Sequence, residues 1–161
     1  ASAFDRVKSV TMTLSESRPA SWIAEEAAVS PNTARDHLRR LIDLGVVMAT
    51  EQSVTRHYYP DPLYTRLRDV RELLEDTTKR ELSEQAAALK EDIANWKAEY
   101  DADSPDALRE RAVINNVSAD QAYELTRVAS DWELTRYRLS LVQDAIKNYD
   151  TWMSDPSSLT A

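Results

Sequence analysis

Arg35, Arg39 and Arg40 stand within six residues of one another in the stretch SPNTARDHLRRLIDLGVV, residues 30–47. A guanidinium is planar, permanently charged and able to donate two parallel hydrogen bonds, which suits phosphate oxygens and the acceptor edge of guanine. Asn32 offers the matching two-pronged geometry for adenine, and Asp36 can accept from a cytosine amino group. Thr33 adds a hydroxyl beside them. These residue types belong together on a surface that meets a polyanion and reads its bases.

Other chemistries are poorly supplied. The chain has no Cys, which removes disulfides, thiolate metal sites and cysteine nucleophiles. It has two His, His37 and His57, and one Gly, Gly45, so neither a His-rich metal site nor a glycine-rich phosphate loop is available. Glu72, Glu75 and Asp76 lie on one side of a helical stretch and read as a solvated face. No catalytic residue, metal or cofactor is expected, and the chain is not expected to be an enzyme.

The whole chain is acidic, with formal net charge -8 over 161 residues. The acid is unevenly placed. Residues 1–60 carry seven Arg/Lys and seven Asp/Glu, whereas the remainder carries thirteen and twenty-one. The segment suited to a polyanion is therefore outside the acidic part. The basic residues are 15 Arg and 5 Lys. High acid with little Lys suits a halophile's hydrated surface, and also an ordinary acidic protein from a GC-rich genome. No run approaches the ~20 apolar residues of a membrane span. The first residues hold early charges and no apolar block, so no secretory signal is read and a cytoplasmic, membrane-free location is expected.

The elements that must position the arginines can be read locally. Phe4, Val7, Val10, Met12 and Leu14 suit a first helix. Pro19 or Ala20 opens a second, with Trp22, Ile23, Ala27 and Ala28 on its apolar face. Ser30 is a favoured N-cap and Pro31 a favoured first helical residue. Ala34, Leu38 and Leu41 then fall at i, i+4 and i+7, an inward stripe. With Ala34 innermost and ~100° per residue, Asn32, Asp36, Arg39 and Asp43 point outward, with Arg35 on one shoulder and Thr33 and Arg40 on the other. His37 lies near the edge of the buried face and reads as packed core. Gly45 follows where a left-handed helix end is needed. Val46–Thr50 and Thr55–Tyr59 are β-prone, with the polar Glu51–Ser53 as a hairpin tip.

After Pro60 and Pro62 the pattern changes. Leu63, Leu67, Val70, Leu74, Thr78, Leu82, Ala86, Leu89, Ile93, Trp96 and Tyr100 are spaced by threes and fours, a heptad seam with a stutter on one long helix. Ser104 and Pro105 start a short helix. Ser118 and Gln121 form a capping box for a last helix carrying Leu125, Val128, Trp132, Thr135, Leu139, Val142, Ile146, Tyr149 and Met153. Seams of this length usually find a second chain. A homodimer is expected through 63–100 and 121–153, with Leu67, Leu74, Leu82, Leu89, Ile93, Trp96, Leu125, Val128, Trp132, Leu139, Val142 and Ile146 as its residues. The aromatic residues Trp96, Tyr100, Trp132, Tyr137, Tyr149 and Trp152 allow two readings, a plain helical core or the lining of a pocket for a small-molecule effector.

Helix, helix, tight turn, helix, hairpin is the order of a winged helix-turn-helix. The stretch SWIAEEAAVSPNTARDHLRRLIDLGVV resembles the core of ArsR-, MarR- and TrmB-type transcription regulators. Ile23, Ala24, Ala27, Val29, Ser30, Thr33, His37, Leu38, Leu41, Gly45 and Val47 occupy the recurring skeleton positions. It covers residues 18–60, and the acidic, Arg-rich plan is similar to small winged-helix regulators of haloarchaea. The metal-sensing members use a cysteine motif that this chain lacks.

The fold expected is mainly α with a small β-hairpin wing: a winged helix-turn-helix over 1–62, long coiled-coil-like helices over 63–155, and a flexible tail over 156–161. The resemblance implies sequence-specific binding of double-stranded DNA by a homodimer, with residues 31–44 in the major groove and 46–59 on the flanking backbone. Asn32, Thr33, Arg35 and Asp36 are placed for bases, Arg39 and Arg40 for phosphates, Ser30 for a phosphate at the helix start, and Arg56 and His57 for the flanking backbone. The rival reading is a winged protein-interaction module whose acidic helical half docks a partner.

Overall fold

The computed structural model describes residues 1–154. Two compact units divide the chain, Ala1–Arg68 and a second that starts at Asp69. Most of the described chain is helical, with one small antiparallel sheet.

The first unit opens with α1, Ala3–Met12, capped by Ser2, whose hydroxyl accepts from the Asp5 N–H while the Asp5 carboxylate reaches back to the Ser2 backbone. That hydrogen bonding holds the Asp5 carboxyl below its ordinary value. β1 is only Arg18–Pro19. α2, Ala20–Ala27, buries Ala20, Ile23, Ala24 and Ala27. It ends on Ala28 in the left-handed region, φ +54.

α3 spans Pro31–Asp43, and its N-cap is Ser30, which accepts from the Thr33 N–H at 3.1 Å. It buries Ala34, Leu38 and Leu41 as the spacing predicts. Its end is a Schellman turn: Val46 N–H donates to Leu41 C=O and Gly45 N–H to Ile42 C=O, both at 2.9 Å, with Gly45 at φ +76. The hairpin follows as β2, Val47–Gln52, and β3, Thr55–Pro60. Gln52 pairs Thr55, so the tip is Ser53–Val54, with Ser53 at φ +58, and Glu51 and Gln52 belong to the strand. β3 is central, flanked by β2 and by β1, whose Arg18 and Pro19 face Tyr58 and His57. Val7, Ile23, Leu38, Leu41, Val47 and Tyr58 close one core over α1, α2, α3 and the sheet.

The second half departs from the expected continuous helix. α4, Pro62–Asp76, and α5, Lys79–Tyr100, are separated at Thr77–Thr78. Thr78 occupies an expected seam position, yet it serves as an N-cap. Its hydroxyl accepts from the Glu81 N–H at 3.2 Å, and the Glu81 carboxylate accepts from the Thr78 N–H at 3.0 Å. α6 is Pro105–Ala112 and α7 is Ala119–Trp152, 34 residues long and capped by the Ser118–Gln121 box that the sequence predicts.

α5 and α6 both pack on α7. One cluster joins Val70, Leu74, Leu82, Ala86, Leu141, Val142 and Ala145, and another joins Ala102, Leu108, Val128, Ala129 and Trp132. The residues expected at a seam between chains are thus largely used within this one. Leu74, Leu82, Val128, Trp132 and Val142 are buried; Leu89, Ile93, Trp96, Leu125, Leu139 and Ile146 pack against the two clusters; Leu67 is exposed. The expected tail over 156–161, and residue 155, lie outside the described residues. No helix among the described residues is long and apolar enough to cross a membrane.

Candidate nucleic-acid interface

Burial of Ala34, Leu38 and Leu41 fixes the rotation of α3. Asn32, Arg35, Asp36, Arg39, Arg40 and Asp43 are consequently exposed, while Thr33 and His37 are half-buried on the shoulders. Two side-chain pairs order the outer face. Arg35 Nη1 donates to Asn32 Oδ1 at 2.9 Å, and Arg39 Nη1 lies 3.5 Å from Asp36 Oδ1. Both pairs are at i, i+3, the spacing at which helical side chains meet. Ser30 is committed locally, donating its hydroxyl to Thr33 Oγ1 at 2.8 Å.

A cleft of about 250 Å³ opens beside this face, lined by Arg35, Arg39, Ile42, Arg56 and Tyr58. Arg56 and Tyr58 share one face of β3 by strand alternation. The Arg56 guanidinium lies 5.8 Å from the Tyr58 ring centroid. Three guanidinium-bearing side chains from a helix and a strand thus line one concavity, with no carboxylate among the lining residues. Like charges brought together this way favour an anionic occupant. The convergence has no local signal in the sequence, because it joins residues 21 positions apart across the hairpin.

Two expected contacts are placed elsewhere. The Arg40 guanidinium lies over the Phe4 ring of α1, 4.7 Å from its centroid, rather than beside Arg39. His57 follows Arg56 on β3, so its side chain leaves from the opposite face of the sheet. It is half-buried, with Nδ1 in no hydrogen bond. His37 is packed as expected, its ring edge-on to Phe4 at 5.6 Å.

A family model, described as a family of unknown function and designated DUF7342, matches residues 1–151. The chain belongs to the DUF7342 family. No curated protein and no solved structure matches it. The DUF7342 match runs through both units, so the arginine-lined cleft and the helical half fall within one family region.

The second unit of this DUF7342 chain also holds a concavity, of about 580 Å³, floored by Leu73, Leu89, Leu141 and Val142 and rimmed by Glu72, Asp76 and Arg138. The aromatic residues expected for an effector pocket do not line it. Trp96 and Trp132 instead stack on each other, centroids 6.3 Å apart, with Tyr100 packed against the same core, and Tyr100 also lines a second concavity of about 530 Å³ with Arg111, Ile114 and Leu125. Burial and the neighbouring Glu99 and Glu124 raise the Tyr100 hydroxyl above its ordinary pKa. No group of residues able to hold a metal ion occurs among the described residues.

Proposed function

We propose that Ala1–Arg68 is a winged helix-turn-helix domain of the general kind found in ArsR-, MarR- and TrmB-type regulators. In this reading α3 enters the major groove of double-stranded DNA and the β2–β3 hairpin rests on the flanking backbone. The chain acts in the cytoplasm as a homodimeric, sequence-specific transcription regulator, and the DNA itself is the partner that the arginines serve.

The observation that carries this reading is the cleft where Arg35 and Arg39 of α3 meet Arg56 of β3 in a chain of net charge -8. A solvated helix face needs no such convergence, whereas a phosphate track along a groove edge does. Asn32 and Arg35, ordered on each other at the N-terminal end of α3, suit base edges, because a recognition helix presents its first turns to the groove floor. Arg39 and Arg56 suit phosphates. Asp36 beside Arg39 limits unspecific attraction to DNA, so base contacts carry more of the affinity.

The test is selection of bound duplexes from a random pool, followed by titration of the best duplex at several salt concentrations. The double change Arg39→Ala with Arg56→Ala lowers affinity for every duplex. It also reduces the slope of log affinity against log salt by about 0.9 for each phosphate that the variant no longer neutralises. An unchanged affinity and slope, or no duplex retained by the unaltered protein at any salt, overturns the reading.

A further inference from the structure

We propose that the outer face of α7 is the surface on which a second copy of this chain docks, antiparallel, about a two-fold axis at the level of Ala129. This surface rests on the homodimeric reading given above and specifies where that dimer forms.

α7 is ~51 Å long at 1.5 Å per residue. Its inner side is consumed by α5 and α6 through Leu125, Val128 and Trp132. Beyond Tyr137 the opposite side is also covered, where Leu141 and Ala145 are buried with Val70 and Leu74 of α4, so the free outer face runs from the start of α7 to about Arg138. Taking ~100° per residue, Tyr123, Ser130, Leu134 and Tyr137 lie on the side opposite Trp132. Their exposures are high for large apolar groups, 72% for Tyr123, 48% for Leu134 and 43% for Tyr137. The Tyr137 hydroxyl donates to Asp69 of α4 at 3.1 Å, and the residue stays exposed. A helix that is apolar on two opposite sides has a second surface to cover.

Charge decides the occupant. One flank of this stripe carries Asp120, Glu124, Arg127, Asp131 and Arg138 in order; Glu124 is bound to Arg127 of its own chain, and Arg138 stands at the edge of the concavity that Glu72 and Asp76 rim. In an antiparallel pair of helices related by a two-fold axis, each flank meets its own copy. An axis at Ala129 lies nine residues from both Asp120 and Arg138, and two residues from both Arg127 and Asp131. Every Asp of one copy therefore faces an Arg of the other. The same register sets Tyr123 within one residue of the partner's Leu134, and places the small Ser130 near the axis, where the helices approach most closely. In the single chain Arg127 is shared between Glu124 and Asp131, while Asp120 and Arg138 make no ion pair among the described residues. Self-complementary alternation of this kind fits a second copy of the chain, because a partner of any uniform charge would meet repulsion at every second position.

The experiment uses the whole chain, in which the absence of Cys makes any introduced cysteine unique. Sedimentation equilibrium should give twice 18.3 kDa. Asp120→Arg alone sets Arg against Arg138 of the other copy, and Arg138→Asp alone sets Asp against Asp120. Each is expected to weaken dimerisation about tenfold or more at low salt, and the two together to restore it. Ser130→Cys should oxidise to a linked dimer, whereas Ala94→Cys on the exposed side of α5 should not. A dimer that ignores both swaps and leaves Ser130→Cys unlinked overturns this surface while the homodimeric reading stands. A mass of one chain overturns both. Circular dichroism of each variant checks that the helices persist.

Discussion

The Asn32 side-chain oxygen accepts a hydrogen bond from Arg35 Nη1 at 2.9 Å, one helical turn along the outer face of α3. Asn32 thus holds the guanidinium before any ligand arrives, which lowers the ordering cost of a two-pronged contact. Asn32→Ala is expected to leave the melting temperature almost unchanged, since both groups are exposed. Under the proposed DNA-binding reading, it should broaden preference at the base position assigned to Arg35 by roughly fivefold in relative affinity, the lower end of what one such pair discriminates. Selected duplex pools from the two proteins, sequenced side by side, measure this. Identical pools would mean that Arg35 needs no such support.

Arg40 and Arg39 are neighbours in sequence and separate in use. Arg40 lies on Phe4, tying α3 to α1, while Arg39 lines the cleft with Arg56. Arg40→Ala is therefore expected to cost stability, about 0.5–1 kcal/mol for an exposed cation–π contact. Its effect on DNA affinity and salt slope should be smaller than that of Arg39→Ala. Thermal melts and salt titrations of the two single variants make the comparison, and a larger salt effect at Arg40 would reverse the assignment.

Two left-handed residues end α2 and α3, and they predict opposite responses. Gly45 sits at φ +76 with nothing within 4 Å of where a Cβ would stand, so Gly45→Ala meets no clash and only the conformational cost. That strain is about 1–2 kcal/mol, partly offset by the smaller freedom of the unfolded alanine, so the net loss is about 0.5–1 kcal/mol. Ala28 already bears it at φ +54 on an exposed position, so Ala28→Gly should stabilise, by about 0.5–1 kcal/mol once the entropy of the unfolded glycine is counted. Urea unfolding of both variants reads the two signs.

Local chemistry makes α3 legible: Ser30 and Pro31 mark its start, Ala34, Leu38 and Leu41 its buried side, and Gly45 its end. The break before α5 is hidden because Thr78 keeps the seam spacing; the Glu81 three residues later is the signal that a cap, and not a seam residue, stands there. β1 has two residues and is defined by pairing with β3, which no local pattern announces. The hairpin tip lacks the Asn-Gly or Asp-Gly that would have fixed it at Ser53–Val54. The heptad run of α7 marks its inner side and is silent about Tyr123, Leu134 and Tyr137. The approach of Arg56 to Arg35 and Arg39 depends on how the sheet returns beside α3, a tertiary fact.

Thr78→Ala tests whether the cap sets the α4–α5 break. The change removes the acceptor for the Glu81 N–H, and loss of such a cap costs about 1 kcal/mol. Thr78→Ser keeps the acceptor and should lie within about 0.5 kcal/mol of the parent. Equal losses for both variants in chemical denaturation would assign the break to packing instead of to the cap.

Arg109 of α6 grips Glu133 of α7 through two parallel hydrogen bonds, at 3.0 and 2.9 Å. The guanidinium holds the Glu133 carboxyl below its ordinary range, and Glu133 in turn raises Arg109. A carboxyl depressed in the folded state binds its proton less readily there than when unfolded. Its contribution is therefore fully present above the ordinary glutamate pKa, and it is lost as pH falls from that value through the depressed one. Glu124, depressed by Arg127 on the same helix, acts in the same direction. Melting temperature should fall on acidification through this window, and Glu133→Gln should flatten part of that fall by lowering the melting temperature modestly at higher pH, as befits an exposed pair, and converging with the parent at low pH. High salt should shrink the difference between the two proteins. A Glu133→Gln profile that parallels the parent at every pH would show that the α6–α7 contact is held by Leu108 and Trp132 alone.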